Sequence, residues 1–250
     1  MTISAVVLTK NNQNIISKLL RQLSWCDEVL IIDDDSADRT RILAKGLGAR
    51  VFRHPLGHNF AAQRNFGLKQ IKTDWVLFID ADEAVSPALT REIKSALKSD
   101  LNGFYIKRTD YFLGSKLRFG ETGYIKLLRL AKTNLGIWRR PVHEVWQVKP
   151  PIGELKSPLY HYPHQTISTF LTKINYYTDI EAKHRHSFSL LEIFIYPPAK
   201  FIHNYILKLG FLDGMPGFVM ALLMSLHSLL VRLKLYEKTF LRSAPHPNRR

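Results

Sequence analysis

Short apolar runs alternate with helical patterns along the first hundred residues, and this order limits the folds that the chain can adopt. Residues 4–8 (SAVVL), 29–32 (VLII) and 75–79 (WVLFI) are almost entirely apolar, as strands covered on both faces require. Ile and Leu recur at helical spacing over 15–23, and residues 61–71 also have a helical pattern. Strands and helices in this order form open parallel sheets. The sequence therefore predicts an α/β fold on a mostly parallel, Rossmann-like sheet.

Acidic residues directly follow two of these predicted strands, at 33–35 and at 80–83. Ligands of open α/β sheets bind beyond the carboxyl ends of the strands, so the two clusters should meet at one rim. Within the second cluster, Asp80 and Asp82 have the D-x-D spacing that lets two carboxylates reach one divalent cation and its phosphate ligand. A solvated acidic loop at the end of a strand is the structural alternative.

The pattern changes after residue 100, and we divide the chain into three parts: 1–100, 101–195 and 196–250. The middle part contains predicted strands at 103–107, 124–130 and 145–148 and a predicted helix at 166–186. Pro197 and Pro198 should then break the chain. The uncharged stretch 218–231 is short of the roughly 20 residues needed to span a bilayer. We expect a helical extension that docks on a membrane surface or re-enters it, with a break in helix direction at Pro216.

The basic excess indicates the kind of partner. The formal net charge is +15, and 13 of the excess charges lie after residue 100. Such an excess suits nucleic acid, anionic membrane or phosphorylated ligands, and its coincidence with long apolar runs favours anionic lipid. Arg232, Lys234 and Lys238 should supply part of that membrane-facing charge. One cysteine excludes a disulfide framework, and the N-terminus lacks a secretory pattern, so we expect a cytoplasmic protein.

Four ordered motifs carry a family resemblance: 6–13 (VVLTKNNQ), 28–40 (EVLIIDDDSADRT), 61–68 (AAQRNFGL) and 74–83 (DWVLFIDADE). Together they resemble the nucleotide-sugar-binding half of family 2 glycosyltransferases, which have the GT-A fold. Up to about residue 240, the chain more weakly resembles bacterial lipopolysaccharide-core glycosyltransferases of the glucosyltransferase type. The resemblance implies an inverting, metal-dependent glycosyltransferase with a UDP-sugar donor and Mg²⁺ or Mn²⁺ as cofactor.

The resemblance also implies roles for individual donor-site residues. They are Thr9 and Asn11 around uridine, Asp34 at the uracil ring, Arg64 facing the diphosphate, Asp80 near ribose and metal, and Asp82 as direct metal ligand. Asp33 and Asp35 are interpreted as ordinary caps of the strand end.

The acceptor half supplies the remaining candidates. Glu144 is the predicted catalytic base, because the His143-Glu144 pair matches the His-Glu pair of the core-glycosyltransferase group. His143 would orient Glu144 or bind a substrate phosphate, and a surface Glu before a strand is the alternative. His161 could reach the metal or the diphosphate, or be structural. Lys126 and Arg129 are candidates for a phosphorylated acceptor on their charge alone.

The most concrete hypothesis is sugar transfer to a membrane-embedded bacterial glycolipid, lipopolysaccharide core, by an enzyme peripheral to the cytoplasmic face of the inner membrane. A polyprenyl-phosphate acceptor is a variant within the same class. A basic nucleic-acid-binding protein is the alternative from another class, although no zinc-finger or RNA-recognition signature is present. A catalytically inactive adaptor is the third reading, and the intact Asp34, Arg64, Asp80 and Asp82 set argues against it.

Overall fold

The computed structural model describes residues 1–141, 143–163, 166–184 and 189–243, in two compact units. The first unit comprises Met1–Asp110 and Ile125–Pro163. The second comprises Tyr111–Tyr124 and the described residues from 166 onward.

Strands and short helices make up most of the first unit. The strands of the chain are β1 Ile3–Thr9, β2 Glu28–Asp33, β3 Arg50–Arg53, β4 Trp75–Asp80, β5 Glu83–Val85, β6 Gly103–Phe112, β7 Ser115–Lys116 (in the second unit), β8 Lys126–Lys132, β9 Gly136–Arg139, β10 Val145–Val148 and β11 Ile152–His161. The helices of the first unit are α1 Ile16–Gln22, α2 Thr40–Gly46, α3 Phe60–Lys69 and α4 Pro87–Ala96. Ser86 caps α4 as its sequence predicts, its Oγ accepting a hydrogen bond from the Leu89 N–H at 3.1 Å.

The main sheet has the order β3-β2-β1-β4-β8-β6-β11-β5. Its first four strands are parallel, as predicted. The other half is mixed: β8 is antiparallel to β4 and β6, β11 is parallel to β6, and β5 is antiparallel to β11. The predicted strand 124–130 is present two residues later, as β8. Strands β9 and β10 form a separate antiparallel pair.

Both faces of the parallel half are covered by apolar layers. Every residue of β1 is buried, and alternate residues enter different clusters: Ala5 and Val7 on one face, Val6 and Leu8 on the other. Helix α3 approaches the second face closely at Gly67, where a Cβ atom would lie 2.9 Å from the Val6 side chain. This packing sets the position of α3, which carries Arg64, over the sheet.

The second unit is built on helices. They are α5 Ile167–His184, α6 Leu190–Ile202 and α7 Gly214–Ser243, with a π-helical turn His203–Leu207 and a 3₁₀ turn Gly210–Asp213 between the last two. The predicted helix 166–186 corresponds to α5, and residues 185 and 186 lie outside the described ones. Helices α6 and α7 pack along each other as a hairpin: Ser225 Oγ donates to the Pro197 carbonyl at 2.7 Å, and the Phe201 and Phe218 rings are 5.8 Å apart.

Three expectations for this region were wrong. Pro197 and Pro198 lie inside α6 and do not break the chain. Pro216 lies in the first turn of α7, where a proline sacrifices no intrahelical hydrogen bond, so the helix does not change direction there. The apolar element is also longer than 14 residues: among the described residues, the helical stretch Gly210–Phe240, of 31 residues, is long and apolar enough to cross a membrane on length and composition.

The basic residues at the end of α7 are paired within the second unit, contrary to the expectation that they face lipid. Arg232 is buried and lies 3.4 Å from Glu192, and its guanidinium stacks on Tyr196 at 4.1 Å. Lys234 pairs with Asp179 of α5 at 2.7 Å, and Lys238 donates to carbonyl oxygens of α5. The sequence shows the charges but not the acidic and carbonyl partners that α5 and α6 supply.

Candidate active site

The two acidic clusters lie on one rim of the sheet, as predicted. Strand β1 lies between β2 and β4, and its last residues pair with the last residues of both. Thr9 is in register with Asp33, and Leu8 with Asp80. The chain segments that follow β1, β2 and β4 therefore leave the sheet side by side.

The loop after β1 is tied to the loop after β2. Thr9 Oγ1 donates to Asn12 Oδ1 at 2.8 Å. Asn11 adopts a left-handed conformation (φ 51°), donates its N–H to Ser36 Oγ at 2.9 Å and accepts from the Ala37 N–H at 2.8 Å. These contacts hold the predicted uridine-binding residues Thr9 and Asn11 in one connected loop pair.

Asp34 is the first residue of the loop after β2. Its Oδ1 accepts from the Leu56 N–H at 2.8 Å, and its Oδ2 pairs with Lys10 at 2.9 Å. Asp33 is buried and accepts from the Ser36 N–H and hydroxyl, which is the capping role expected of it. The structure thus assigns different surroundings to two adjacent aspartates.

Arg64 joins two predicted functional carboxylates that are far apart in sequence. Its Nη2 donates to Asp80 Oδ1 and its Nε to Glu144 Oε1, both at 2.9 Å. The side chain is 3% exposed, and the guanidinium stacks on Trp138 at 4.7 Å. Arg64 Nη1 is buried and has no hydrogen-bond partner among the described residues, so one of its donor nitrogens is unsatisfied.

Arg129 lies below Asp80 and is buried, whereas its charge had suggested a contact with the acceptor. Its Nη2 donates to Asp80 Oδ2 at 2.6 Å and lies 3.4 Å from Glu83 Oε1. Both oxygens of Asp80 are therefore held by guanidinium groups. Burial would raise the pKa of Asp80, but the charges of Arg129 and Arg64 outweigh it and hold that pKa well below its usual range.

Glu83 was not among the predicted site residues, although it follows the D-x-D pair directly. It is 3% exposed, and its Oε2 accepts from the Asp80 N–H at 2.9 Å, which closes the acidic turn. Burial raises the pKa of Glu83 against the opposing charge of Arg129. The sequence signal that could have identified Glu83 is an acidic residue directly before the apolar residues of a strand.

Asp82 faces His161, which β11 brings to the same rim. His161 Nε2 lies 3.4 Å from Asp82 Oδ2, and its Nδ1 is 2.7 Å from Asp110 Oδ1. Arg108 Nη2 donates to Asp110 Oδ2 at 3.1 Å. Burial would lower the pKa of His161, but the hydrogen bonds to Asp110 and Asp82 outweigh it and raise that pKa to about 9. Asp110, also missed from the sequence, fixes the ring orientation.

The donor atoms here fit a divalent cation that is shared with a substrate. Within the described ranges, no group of three or more His, Cys, Asp or Glu side chains is placed to hold a metal ion. Asp82 can supply one ligand and His161 Nε2 a second once the cation displaces the proton that Asp82 and Asp110 hold on the ring, and Mg²⁺ or Mn²⁺ commonly takes its others from substrate phosphates and water. The carboxylate of Asp110 behind His161 is the arrangement that orients metal-binding imidazoles. Asp80, with both oxygens on arginines, is not placed as a third ligand.

Two further predicted residues lie outside this cluster of contacts. Lys126 is on the surface and pairs with Glu154 at 2.7 Å. His143 is exposed and has a positive φ of 52° beside Glu144. The structure therefore brings Arg64, Asp80 and Glu144 together, and does not connect Lys126 to them.

The parallel sheet, with paired loops and a carboxylate turn at one rim, defines an open α/β class whose ligands bind beyond the carboxyl ends of the strands. Comparison with known proteins narrows this class, because the model of glycosyl transferase family 2 matches residues 4–149. The chain belongs to glycosyl transferase family 2, and it is therefore an enzyme of that class. The predicted GT-A fold class is confirmed by this match and the sheet order.

Relatives of similar length occur in bacteria. The chain is 23% identical over 261 residues to the lipopolysaccharide core biosynthesis glycosyltransferase LpsC of Rhizobium meliloti, covering 98% of this chain and 96% of that one. It is 26% identical over 255 residues to a glycosyltransferase of Rickettsia typhi, covering 94% and 87% of the two chains.

Solved structures show more distant similarity. Glucosyl-3-phosphoglycerate synthase from Mycobacterium tuberculosis, in complex with Mn²⁺, UDP and glucosyl-3-phosphoglycerate, is 24% identical with a TM-score of 0.37, over 44% of each chain. Residues 1–349 of S. aureus TarS are 15% identical with a TM-score of 0.48, over 98% of this chain and 93% of that one.

Proposed function

We propose that this enzyme transfers a sugar, with inversion, from a UDP-sugar to a membrane-embedded bacterial glycolipid, most specifically the lipopolysaccharide core. The observation that carries the proposal is the Arg64 bridge between Asp80 and Glu144, which connects the donor rim to a carboxylate of the acceptor half. The name of the Rhizobium relative supports the acceptor class. A polyprenyl-phosphate acceptor is the variant within the same chemistry.

The donor would lie along the rim formed by the loops after β1, β2 and β4. Thr9 and Asn11 would contact uridine, Asp34 the uracil ring, and Asp80 the ribose. Arg64 Nη1, buried and without a partner among the described residues, would donate to the diphosphate if the rim opens on donor binding. Guanidinium nitrogens in dry surroundings stabilise phosphate charge strongly.

A divalent cation, when bound, would stabilise the negative charge that develops on the departing diphosphate. Asp82 and His161 Nε2 are the residues that would hold it, with Asp110 fixing the imidazole.

Glu144 would act as the base. Its Oε1 is held by Arg64, so the carboxylate has a defined orientation. In the transfer, Glu144 takes the proton of the acceptor hydroxyl while that oxygen forms a bond to the anomeric carbon. The bond from the anomeric carbon to the diphosphate oxygen breaks, and its electron pair leaves with UDP. Attack opposite the leaving group inverts the anomeric configuration. We place the reaction at the cytoplasmic face of the inner membrane.

The test measures turnover and donor binding separately. Glu144→Gln should lower kcat by roughly 10²-fold or more, because it keeps the shape and removes the proton acceptor, while UDP binding by calorimetry stays within a few fold. Asp82→Ala should abolish the Mn²⁺-dependent part of UDP binding. Glu154→Gln, a surface substitution in the same unit, is the matched control. Full turnover in Glu144→Gln would refute the base, and cation-dependent UDP binding in Asp82→Ala would refute the metal ligand.

A further inference from the structure

The outward faces of helices α6 and α7 carry large apolar side chains. In α6 they follow a helical stripe that begins before the prolines, with Leu191 67% exposed and Phe194 75% exposed. The turns and α7 continue it, with Leu207 and Met215 each 69% exposed. The other exposed apolar residues of the hairpin are Leu190, Ile195, Tyr196, Ile202, Ile206, Leu209, Phe211, Leu212, Phe218 and Leu222. Soluble monomers rarely expose apolar patches of this extent.

The opposite faces of the same two helices are covered within the second unit. Pro197 of α6 is buried, Met220 of α7 is 8% exposed, and Leu117 packs in the same cluster as Met220. The Gly120 N–H donates to the Lys208 carbonyl at 2.9 Å. Each helix therefore has one covered face and one apolar outward face, which is the pattern of an element lying along a surface.

The Asp, Glu, Lys and Arg side chains of residues 190–231 are less exposed than the apolar side chains of the outward face. Glu192, Lys200, Lys208 and Asp213 are all at least partly buried. Lys200 pairs with Glu121 at 2.8 Å, and Asp213 accepts from the backbone N–H groups at 118 and 119. Internal pairing of this kind lowers the cost of placing a segment in a medium of low dielectric constant.

The tip of the hairpin argues against a pair of helices that cross the membrane. In a crossing hairpin the connecting turn would emerge into water on the far side. Here that turn exposes Leu207, Leu209, Phe211 and Leu212, at 40–69%. Of the 18-residue apolar window of Gly210–Phe240, 28% is buried within the chain, so most of it is at least partly exposed.

We propose that the outward face of α6, the two turns and α7, over residues 190–222, is an anchor that lies in the plane of one lipid leaflet. Its partner is the acyl region just below the headgroups, and apolar burial contributes more to binding than basic charge does. The inference deepens the proposed function, since the choice of a membrane as partner rests on a membrane-embedded acceptor. Beyond the proposed function, the inference specifies which surface binds the membrane, how that surface is oriented and that its binding resists salt.

Vesicle flotation of the full chain tests the anchor without any sugar donor. The wild-type chain should float with neutral phosphatidylcholine vesicles and remain bound in 1 M NaCl. Phe194→Asp with Leu207→Asp should lower the bound-to-free ratio by at least about tenfold. Ile42→Asp, at an equally exposed apolar position (66%) on α2, should leave it unchanged. Circular dichroism and light scattering on each variant monitor folding and oligomeric state.

Each other outcome overturns the proposal. Binding only to anionic vesicles, with release by salt, would show charge-driven docking. A soluble wild-type dimer that the double substitution dissociates, without vesicle binding, would assign the face to a second copy of the chain. If Phe194→Asp with Leu207→Asp does not fold, Met215→Asp alone should still reduce flotation, and normal flotation of that variant would refute the anchor. Glu144→Gln, inactive under the proposed function, should float normally, so the two hypotheses fail separately.

Discussion

Replacing Arg129 by Met should destabilise the protein much more than the loss of a typical basic residue. Arg129 is 5% exposed, and its guanidinium pairs with Asp80 at 2.6 Å and with Glu83 at 3.4 Å. Met occupies a similar volume without the charge. The variant leaves Asp80 paired through Arg64 and removes from Glu83 the cation that now faces it.

The contacts set the expected magnitude. Removing one partner of a buried ion pair costs about 3–5 kcal/mol, because the other charge stays buried without compensation. The Asp80 side chain is 31% exposed and keeps Arg64, whereas the Glu83 side chain is 0% exposed, so the cost falls mainly on Glu83. We therefore expect the lower end, about 3 kcal/mol, which corresponds to a decrease in Tm of about 6–12 °C for a chain of this size.

Thermal and urea unfolding in mild detergent, followed by tryptophan fluorescence, measure this loss. Lys126→Met is the matched control, because Lys126 lies on the same strand and its pair with Glu154 is about half exposed on both sides (52% and 48%). That substitution should change the unfolding free energy by less than about 0.5 kcal/mol. Adding Glu83→Gln to Arg129→Met should recover part of the loss, since Gln keeps an acceptor for the Asp80 N–H without the charge.

Equal stability of Arg129→Met and Lys126→Met would refute this reasoning, because burial would then not distinguish the two pairs. A double variant no more stable than Arg129→Met alone would show that the loss has a cause other than the unpaired charge of Glu83.

Two further substitutions and one labelling experiment test other contacts. Gly67→Ala should lower the unfolding free energy by about 1–3 kcal/mol, because the added Cβ would lie 2.9 Å from the Val6 side chain. Gly46→Ala is the control and should not lower it, because nothing lies within 4 Å of the added Cβ. Equal effects of the two substitutions would contradict the close packing at Gly67. Burial, with the nearby charge of Asp27, raises the pKa of the Cys26 thiol to about 12. Alkylation of native Cys26 at pH 8.5 should be at least about a hundredfold slower than in urea, through loss of thiolate; equal rates would contradict this. Glu92→Gln should lower stability slightly, since its oxygens accept from the backbone N–H groups of Lys156 and Ser157 at 2.6 and 2.7 Å, and equilibrium unfolding measures the change.

The parallel half of the sheet could be predicted because strands buried on both faces are continuous apolar runs in the sequence. Strand β1 is buried at all seven positions, so its sequence is apolar apart from Ser4 and Thr9. The position of the candidate site at one rim follows from the same reasoning, because the chain segments after neighbouring parallel strands leave the sheet on the same side. Asp34 and Asp80 lie where this argument places them.

The partners of the site residues could not be predicted, because they depend on strand order in the mixed half of the sheet. Arg129 interrupts an apolar strand, and its charge alone does not tell whether it points to solvent or to a buried carboxylate. His161 meets Asp110 only because β11 pairs with β6, and this pairing is not visible in either segment. The prediction of a break at Pro197 fails for a different reason: the packing of α7 on α6, with Ser225 Oγ donating to the Pro197 carbonyl, is not visible in the local sequence.

Strand β5 begins directly after the acidic turn, and in the main sheet it pairs only with β11 among the described strands. β11 ends at His161, 76 residues after β5 ends at Val85. During synthesis at about 5–20 residues per second, this stretch takes roughly 4–15 s. Over that interval the nascent chain has the parallel strands but lacks the strand that holds the turn. The candidate site should therefore form late on the ribosome, and a chain released at residue 149, where the family match ends, should be unable to complete it.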